Sequence, residues 1–105
     1  MIVRIWTGQV LAGHAEEFCT HLAAQVIPQL GRTDGCLGGE LLRSVSEEDG
    51  YRVLVLSRWR DEAALRGYAG PMWRIRPVWS EGELRHLAHP PEVTHFLQIT
   101  APATP

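Results

Sequence analysis

The stretch from Tyr51 to Gly70, YRVLVLSRWRDEAALRGYAG, carries four apolar residues in a row, Val53-Leu54-Val55-Leu56. Alternate residues of a strand point to opposite faces, so a strand built here is apolar on both. A sheet with one wetted face alternates apolar and polar residues instead. The strand therefore belongs at the centre of a sheet that is covered on two sides. Its apolar run ends on Trp59. Asp61 or Arg60 then caps a short helix that turns Ala64, Leu65 and Tyr68 inward and stops at Gly70-Pro71.

The remaining elements follow from periodicity. Residues 2–10 read as a first strand, with Val3 and Ile5 on one face and Ile2 and Trp6 on the other. After a turn at Leu11-Ala12-Gly13, residues 14–31 read as a helix. Ala15, Phe18, Cys19, Leu22, Val26 and Leu30 recur at three- and four-residue steps, opposite Glu16, Glu17, Thr20 and His21. Pro28 removes a backbone donor and predicts a late kink. Residues 36–45 form a second strand, in which Gly38-Gly39 marks a bulge or a close backbone approach. Ser46-Glu47-Glu48-Asp49-Gly50 is a polar hairpin turn leading into the third strand, 51–59. One or two helical turns are expected at 83–88, before His89-Pro90-Pro91. The last strand, 93–99, places Val93, His95, Leu97 and Ile99 on one face.

The order β-α-β-β-α-β is the α+β, ferredoxin-like split arrangement: an antiparallel four-stranded sheet with helices on one face. Crossover geometry puts the first and third strands side by side in the middle. The other face of the sheet needs cover, and the chain has no spare element for it. A second copy packed sheet to sheet supplies that cover, which predicts a two-fold homodimer joined through the sheet face.

Length and charge narrow the partners. The 105 residues make one domain, set at 1–100, followed by a flexible tail at 101–105. Net charge is −2 and the basic residues are scattered, so no nucleic-acid footprint is present. No apolar run reaches the roughly 18–20 residues that span a bilayer, so no membrane partner is expected. The start lacks the features of a signal peptide, which predicts a cytoplasmic protein. Cys19 and Cys36 are then free thiols. No phosphate loop, nucleophile elbow or zinc signature occurs. Glu83, His86 and His89 are spaced by three and could share a helical face toward zinc, but Pro90-Pro91 sets them in a solvated loop and no metal is expected.

Several stretches together carry a family resemblance. They are Ile2-Val3-Arg4-Ile5-Trp6, Val26-Ile27-Pro28 with Asp34-Gly35 and Gly38-Gly39, Leu56-Ser57-Arg58-Trp59, Glu62-Ala63-Ala64-Leu65, Tyr68-Ala69-Gly70 and Val93-Thr94-His95-Phe96. They resemble the antibiotic biosynthesis monooxygenase (ABM) domain of the dimeric α+β barrel superfamily, over nearly the whole chain and at fold positions more than chemical ones. The resemblance implies a dimer, a cavity between sheet and helices, and a cofactor-independent monooxygenase acting on a small aromatic or quinone-like molecule. The alternative is a non-catalytic ligand-binding or stress-associated dimer, and a haem-binding or haem-degrading protein comes third. The family's quinone-forming oxygenases carry an Asn four residues before a third-strand Trp. Trp59 matches that Trp, and Val55, which cannot hydrogen-bond, stands at the Asn position. The haem-degrading branch pairs an Asn, a Trp and a His, near which stand Thr7, Tyr68 and Val78. The iron ligand is missing there, so no cofactor is expected.

Six residues are candidates for a site. His95, on the apolar face of the last strand, is the candidate catalytic base; a structural hydrogen bond or a dimer contact is the other reading. Trp59, Tyr68 and Trp73 are candidate substrate-binding walls, with plain core packing as the alternative. Arg74 and Arg76 are candidates for holding an anionic group, against solvated arginines whose stems lie over tryptophan.

Overall fold

The computed structural model describes residues 1–46 and 51–99. The tip of the expected hairpin turn, 47–50, and the expected tail lie outside the described residues.

Four strands, β1 (Ile2–Gln9), β2 (Cys36–Arg43), β3 (Arg52–Trp59) and β4 (Glu92–Leu97), form one antiparallel sheet in the order β2-β3-β1-β4. The first and third strands are central, as the split β-α-β-β-α-β plan requires. Directly opposed residues of antiparallel strands share a face, and the register divides the sheet cleanly. Ile2, Arg4, Trp6 and Gly8 of β1 face the helices together with Val53, Val55, Ser57 and Trp59 of β3. Val3, Ile5, Leu54 and Leu56 face the other way and are only half-buried. The core therefore lies on one side. Its fully buried side chains are Trp59, Phe18, Leu22, Leu65 and Val53, and each contributes about 1.5–3 kcal/mol by leaving water.

The long helical segment is made of α1 (Ala15–His21), a π-helical stretch (Leu22–Val26) and α2 (Ile27–Gly31). The expected late kink at Pro28 is replaced by an earlier adjustment. Ile27 N–H bonds to Leu22 O, a five-residue step. Proline offers no N–H to the carbonyl four residues back and its ring crowds that carbonyl. The wider turn just ahead of Pro28 takes up the mismatch.

The short elements follow their caps. Asp61 caps α3 (Glu62–Ala69) by accepting from Ala64 N–H at 2.8 Å. Gly70 ends it at φ +84, where a side chain would strain the backbone. In β2 the register shifts between Cys36 and Gly38, which makes the bulge expected from the glycine pair. The helical turn expected at 83–88 begins earlier, as α4 (Glu81–Leu84). A capping box between Ser80 and Glu83 sets that start. Leu87 then leaves the helix and bridges to Val10, closing the end of the sheet.

Candidate functional site

A cavity of about 250 Å³ lies between the inner face of the sheet and the helices. Its floor is the centre of the sheet: Arg4, Trp6, Val55 and Ser57. Leu22 and Val26 of the π-helical stretch and Gln29 and Leu30 of α2 make one wall. Tyr68 of α3 and the segment carrying Val78, Trp79, Ser80 and Glu83 make the other. π-Helical turns recur at functional sites because they re-aim side chains, and here the turn supplies lining residues.

One row of the sheet is polar. The register aligns Gly39, Ser57, Arg4 and His95 across β2, β3, β1 and β4. Arg4 is 3 % exposed. Its Nη1 donates to Trp73 O at 2.8 Å and lies 3.0 Å from His95 Nε2, and its Nη2 donates to Arg76 O at 2.7 Å. A guanidinium only donates, so His95 Nε2 must be the acceptor and the neutral imidazole carries its proton on Nδ1. The environment agrees. Burial, then the charges of Arg4 and Arg74, hold the His95 pKa below its ordinary value. Burial also lowers the pKa of Arg4, against an opposing effect of Tyr68.

Ser57 and Tyr68 complete the polar end. Ser57 Oγ accepts from Trp59 Nε1–H at 2.9 Å, which leaves its own hydroxyl hydrogen for another partner. Tyr68 lies against Trp59, ring centroids 4.8 Å apart, and its ring centroid is 5.9 Å from the Arg4 guanidinium carbon. Burial is the largest influence on Tyr68 and raises its pKa, so the phenol stays protonated at neutral pH. On the same wall as Tyr68, Glu83 Oε2 accepts from Ser80 N–H at 3.1 Å, and Oε1 lies 3.5 Å from His21 Nε2. Trp6 Nε1 is buried beside the cavity with no hydrogen-bond partner among the described residues.

The candidates from the sequence converge on Arg4 more than on the cavity itself. Tyr68 lines the cavity. Trp59 is 0 % exposed and backs Tyr68 from behind. Trp73 is buried edge-on against His95, at 4.9 Å, and reaches Arg4 through its carbonyl. Arg76 also reaches Arg4 through its carbonyl, while its side chain is exposed. Arg74 is exposed, 5.1 Å over the Trp73 ring and 3.6 Å from Glu62. His95 is half-buried and touches Arg4. Sequence reasoning missed Arg4 and Ser57 as site residues and weighed Glu83 only as a zinc ligand beside His86 and His89. The signal for Arg4 was available, since it shares the inner face of β1 with Ile2 and Trp6.

Metal and haem chemistry can be tested on the residues present. No group of three or more His, Cys, Asp or Glu side chains that could hold a metal ion occurs among the described residues. His86 turns away from that role, with Nδ1 3.2 Å from His14 Nδ1 and its ring against Phe18. The described cavity lining has no His, Cys or Met to bind a haem iron, and Tyr68 is the one lining residue of an iron-binding type. The lining does not fit a haem site.

A split β-α-β-β-α-β sheet with a partly apolar cavity under its helices defines a ferredoxin-like α+β domain. The antibiotic biosynthesis monooxygenase (ABM) family model matches residues 1–70, and the chain belongs to that family. Solved structures share its fold over almost the full length. A Nitrosomonas europaea protein described as an antibiotic biosynthesis monooxygenase superposes with a TM-score of 0.72 at 16% identity, covering 95% of this chain and 100% of that one. The ActVA-Orf6 monooxygenase of Streptomyces coelicolor, solved with the ligand nanaomycin D, gives 0.67 at 20% identity, covering 99% and 92%. The haem-degrader MhuD of Mycobacterium tuberculosis, solved with two haems in its active site, gives 0.68 at 20% identity, covering 98% and 100%. At these identities the likeness speaks to the fold alone. A search of curated proteins finds no match.

Proposed function

We propose that the chain is a cofactor-independent monooxygenase acting on a small phenolic aromatic, working in the cytoplasm as a homodimer joined through the outer sheet face. The observation that carries this reading is the cavity of an ABM-family protein in which Arg4, Ser57 and Tyr68 join Gln29, Ser80 and Glu83 among mostly apolar walls. Ligand sites commonly have this form, a mostly apolar concavity with a few convergent polar groups. The ActVA-Orf6 monooxygenase, of the same fold, supports it by analogy.

In this reading the aromatic ring lies against Trp6, Leu22 and Val26, with its hydroxyl toward Arg4 and Ser57. Electron density from that oxygen makes the ring carbon opposite it nucleophilic toward oxygen. One atom of O₂ enters the ring there, the other leaves as water with the two displaced hydrogens, and the product is a quinone. Ser57 and Tyr68 orient the substrate oxygen. His95 acts through Arg4, holding the guanidinium by its Nε2. Trp59 stiffens the wall behind Tyr68, and Trp73 and Arg76 fix Arg4 by their carbonyls. Arg74 braces Trp73 from outside.

Val55 on the cavity floor favours a second reading, binding without turnover, because a valine there cannot hydrogen-bond a reacting oxygen. Oxygen consumption over a panel of phenols and hydroquinones, run aerobically and anaerobically, separates the two. The oxygenase reading expects one O₂ consumed per quinone formed. Ligands that stabilise the protein and are recovered unchanged under oxygen would replace it with the binding reading.

A further inference from the structure

We infer that Trp79 is a lid: it closes over a ligand in the cavity after the ligand has entered between Gln29 and the segment 77–79. The inference rests on the reading of this cavity as the ligand site and adds how that site is shut.

The cavity lining divides by exposure. Its floor of Arg4, Trp6, Val55 and Ser57 is buried, as are Leu22 and Leu30. The lining residues most open to solvent are Gln29, Val78, Trp79 and Ser80. These four therefore mark the mouth, with Gln29 of α2 on one side and residues 78–80 on the other. Trp79 is the largest side chain there. It is 41% exposed, whereas Trp6, Trp59 and Trp73 are buried. A single exposed indole is ordinary in a protein. Its place at the mouth, and the backbone that carries it, set this one apart.

That backbone is held at both ends and unbonded between them. Upstream, Arg4 fixes the carbonyls of Trp73 and Arg76 to the sheet, at 2.8 and 2.7 Å. Downstream, the capping box fixes Ser80, whose N–H donates to Glu83 Oε2. Between these anchors, Pro77, Val78 and Trp79 belong to no helix or strand and make no hydrogen bond to any described residue. A span without internal hydrogen bonds opens and closes at low free-energy cost. With both ends fixed, it rocks as a flap and leaves its flanks folded. An inward swing of Trp79 takes indole surface out of water and lays it on the ligand, so part of the binding energy drives the closure. A rigid wall is the opposing description. The two differ in kinetics, because closure after entry adds a step that does not depend on ligand concentration.

Stopped-flow mixing of the intact protein with 2-naphthol, without oxygen and followed by naphthol fluorescence, tests this beside an equilibrium titration. In the wild type the observed rate is expected to rise with naphthol concentration and then level off, where closure becomes limiting. Trp79→Ala changes an exposed side chain that makes no hydrogen bond, so the fold is expected to stand. In that variant the rate is expected to rise linearly, and naphthol to dissociate about tenfold or more faster. Naphthol that binds the wild type with a linear rate overturns the lid and leaves the cavity reading standing. A levelling-off that persists unchanged in Trp79→Ala also overturns it, since a different element then closes. No binding of naphthol in the titration overturns both.

Discussion

Ser57 holds two roles in one hydroxyl, and a single substitution separates them. Its Oγ is the acceptor for the indole N–H of Trp59, which is 0 % exposed. Ser57→Ala leaves that N–H buried without a partner and is expected to cost about 1–3 kcal/mol, read from urea unfolding; a loss within error would mean water or another acceptor takes the bond. Gly35 and Gly13 make a second residue-level test. Both have positive φ, +79 and +82, which costs a side chain about 1–2 kcal/mol. A Cβ at Gly13 meets open space, whereas at Gly35 it collides with Ala64 Cβ. Gly35→Ala is therefore expected to destabilise clearly more than Gly13→Ala, and equal losses would refute the close packing of Gly35 on α3. At this scale the sequence was least legible. Arg4 sits among Ile2, Val3 and Ile5, where a charge in a strand reads as a solvent contact. Its sharing a face with Ile2 and Trp6 hinted at burial, and the register, which sets it in line with Ser57 and His95, shows it. Trp59 was open between a cavity wall and plain core packing; it is fully buried against Tyr68, and Tyr68 is the one of the two that lines the cavity.

Elements were far more legible than contacts, because periodicity reports burial directly. The central place of β3 followed from its two apolar faces, and α3 from Asp61 at one end and Gly70 at the other. The π-helical stretch was hidden, since a five-residue step over Leu22–Val26 leaves the apolar spacing looking helical; Pro28 marked a disturbance but not its form. The early start of α4 was hidden in Ser80, whose pairing with Glu83 matters only once both lie at a helix start. The contact between the start of α1 and the segment after α4 carries a pH dependence. His14 and His86 meet there at 3.2 Å between their Nδ1 atoms. Arg85 Nε lies 3.4 Å from His86 Nε2, so the neutral form of His86 accepts there and donates to His14. Burial, the largest influence, lowers the His86 pKa; Arg85, His14 and His21 act in the same direction and Glu17 against them. His95 is lowered as well, first by burial. Groups whose folded pKa is depressed take up protons more readily in the unfolded chain. Stability is then full above the ordinary histidine value of 6.5 and is lost as pH falls toward and through the lowered folded values. Urea midpoints are expected to fall between pH 7.5 and 5.5, a window in which ordinary carboxylates stay ionised. A midpoint that holds or rises on acidification would contradict the neutral assignment of both histidines.

For the whole molecule, the unfinished business of the fold is the outer face of the sheet. Val3 and Ile5 of β1 lie across from Arg58 and Leu56 of β3, and Leu54 lies across from Leu42 of β2. Phe96 of β4 is opposite Val3 and is 56% exposed. Val3, Ile5, Leu42, Leu54, Leu56 and Phe96 give this face its apolar area, and Glu40 and Arg58, paired at 2.6 Å, lie among them opposite Leu56 and Val3. Single exposed apolar residues are ordinary in proteins, but a contiguous patch across four strands marks an interaction site. In the proposed dimer the same surface of a second chain would cover it, with a two-fold axis setting apolar against apolar around the charged pair. Sedimentation equilibrium at micromolar concentration is expected to give the mass of two chains. Leu56→Glu places a carboxylate in that contact without touching the inner core, since Leu56 points away from Val55 and Ser57. It is expected to weaken association by about a hundredfold or more, through burial of an unpaired charge, while the far-ultraviolet circular dichroism stays that of the wild type. A wild-type mass of one chain would refute the dimer. A Leu56→Glu dimer as tight as the wild type would move the contact to a different surface.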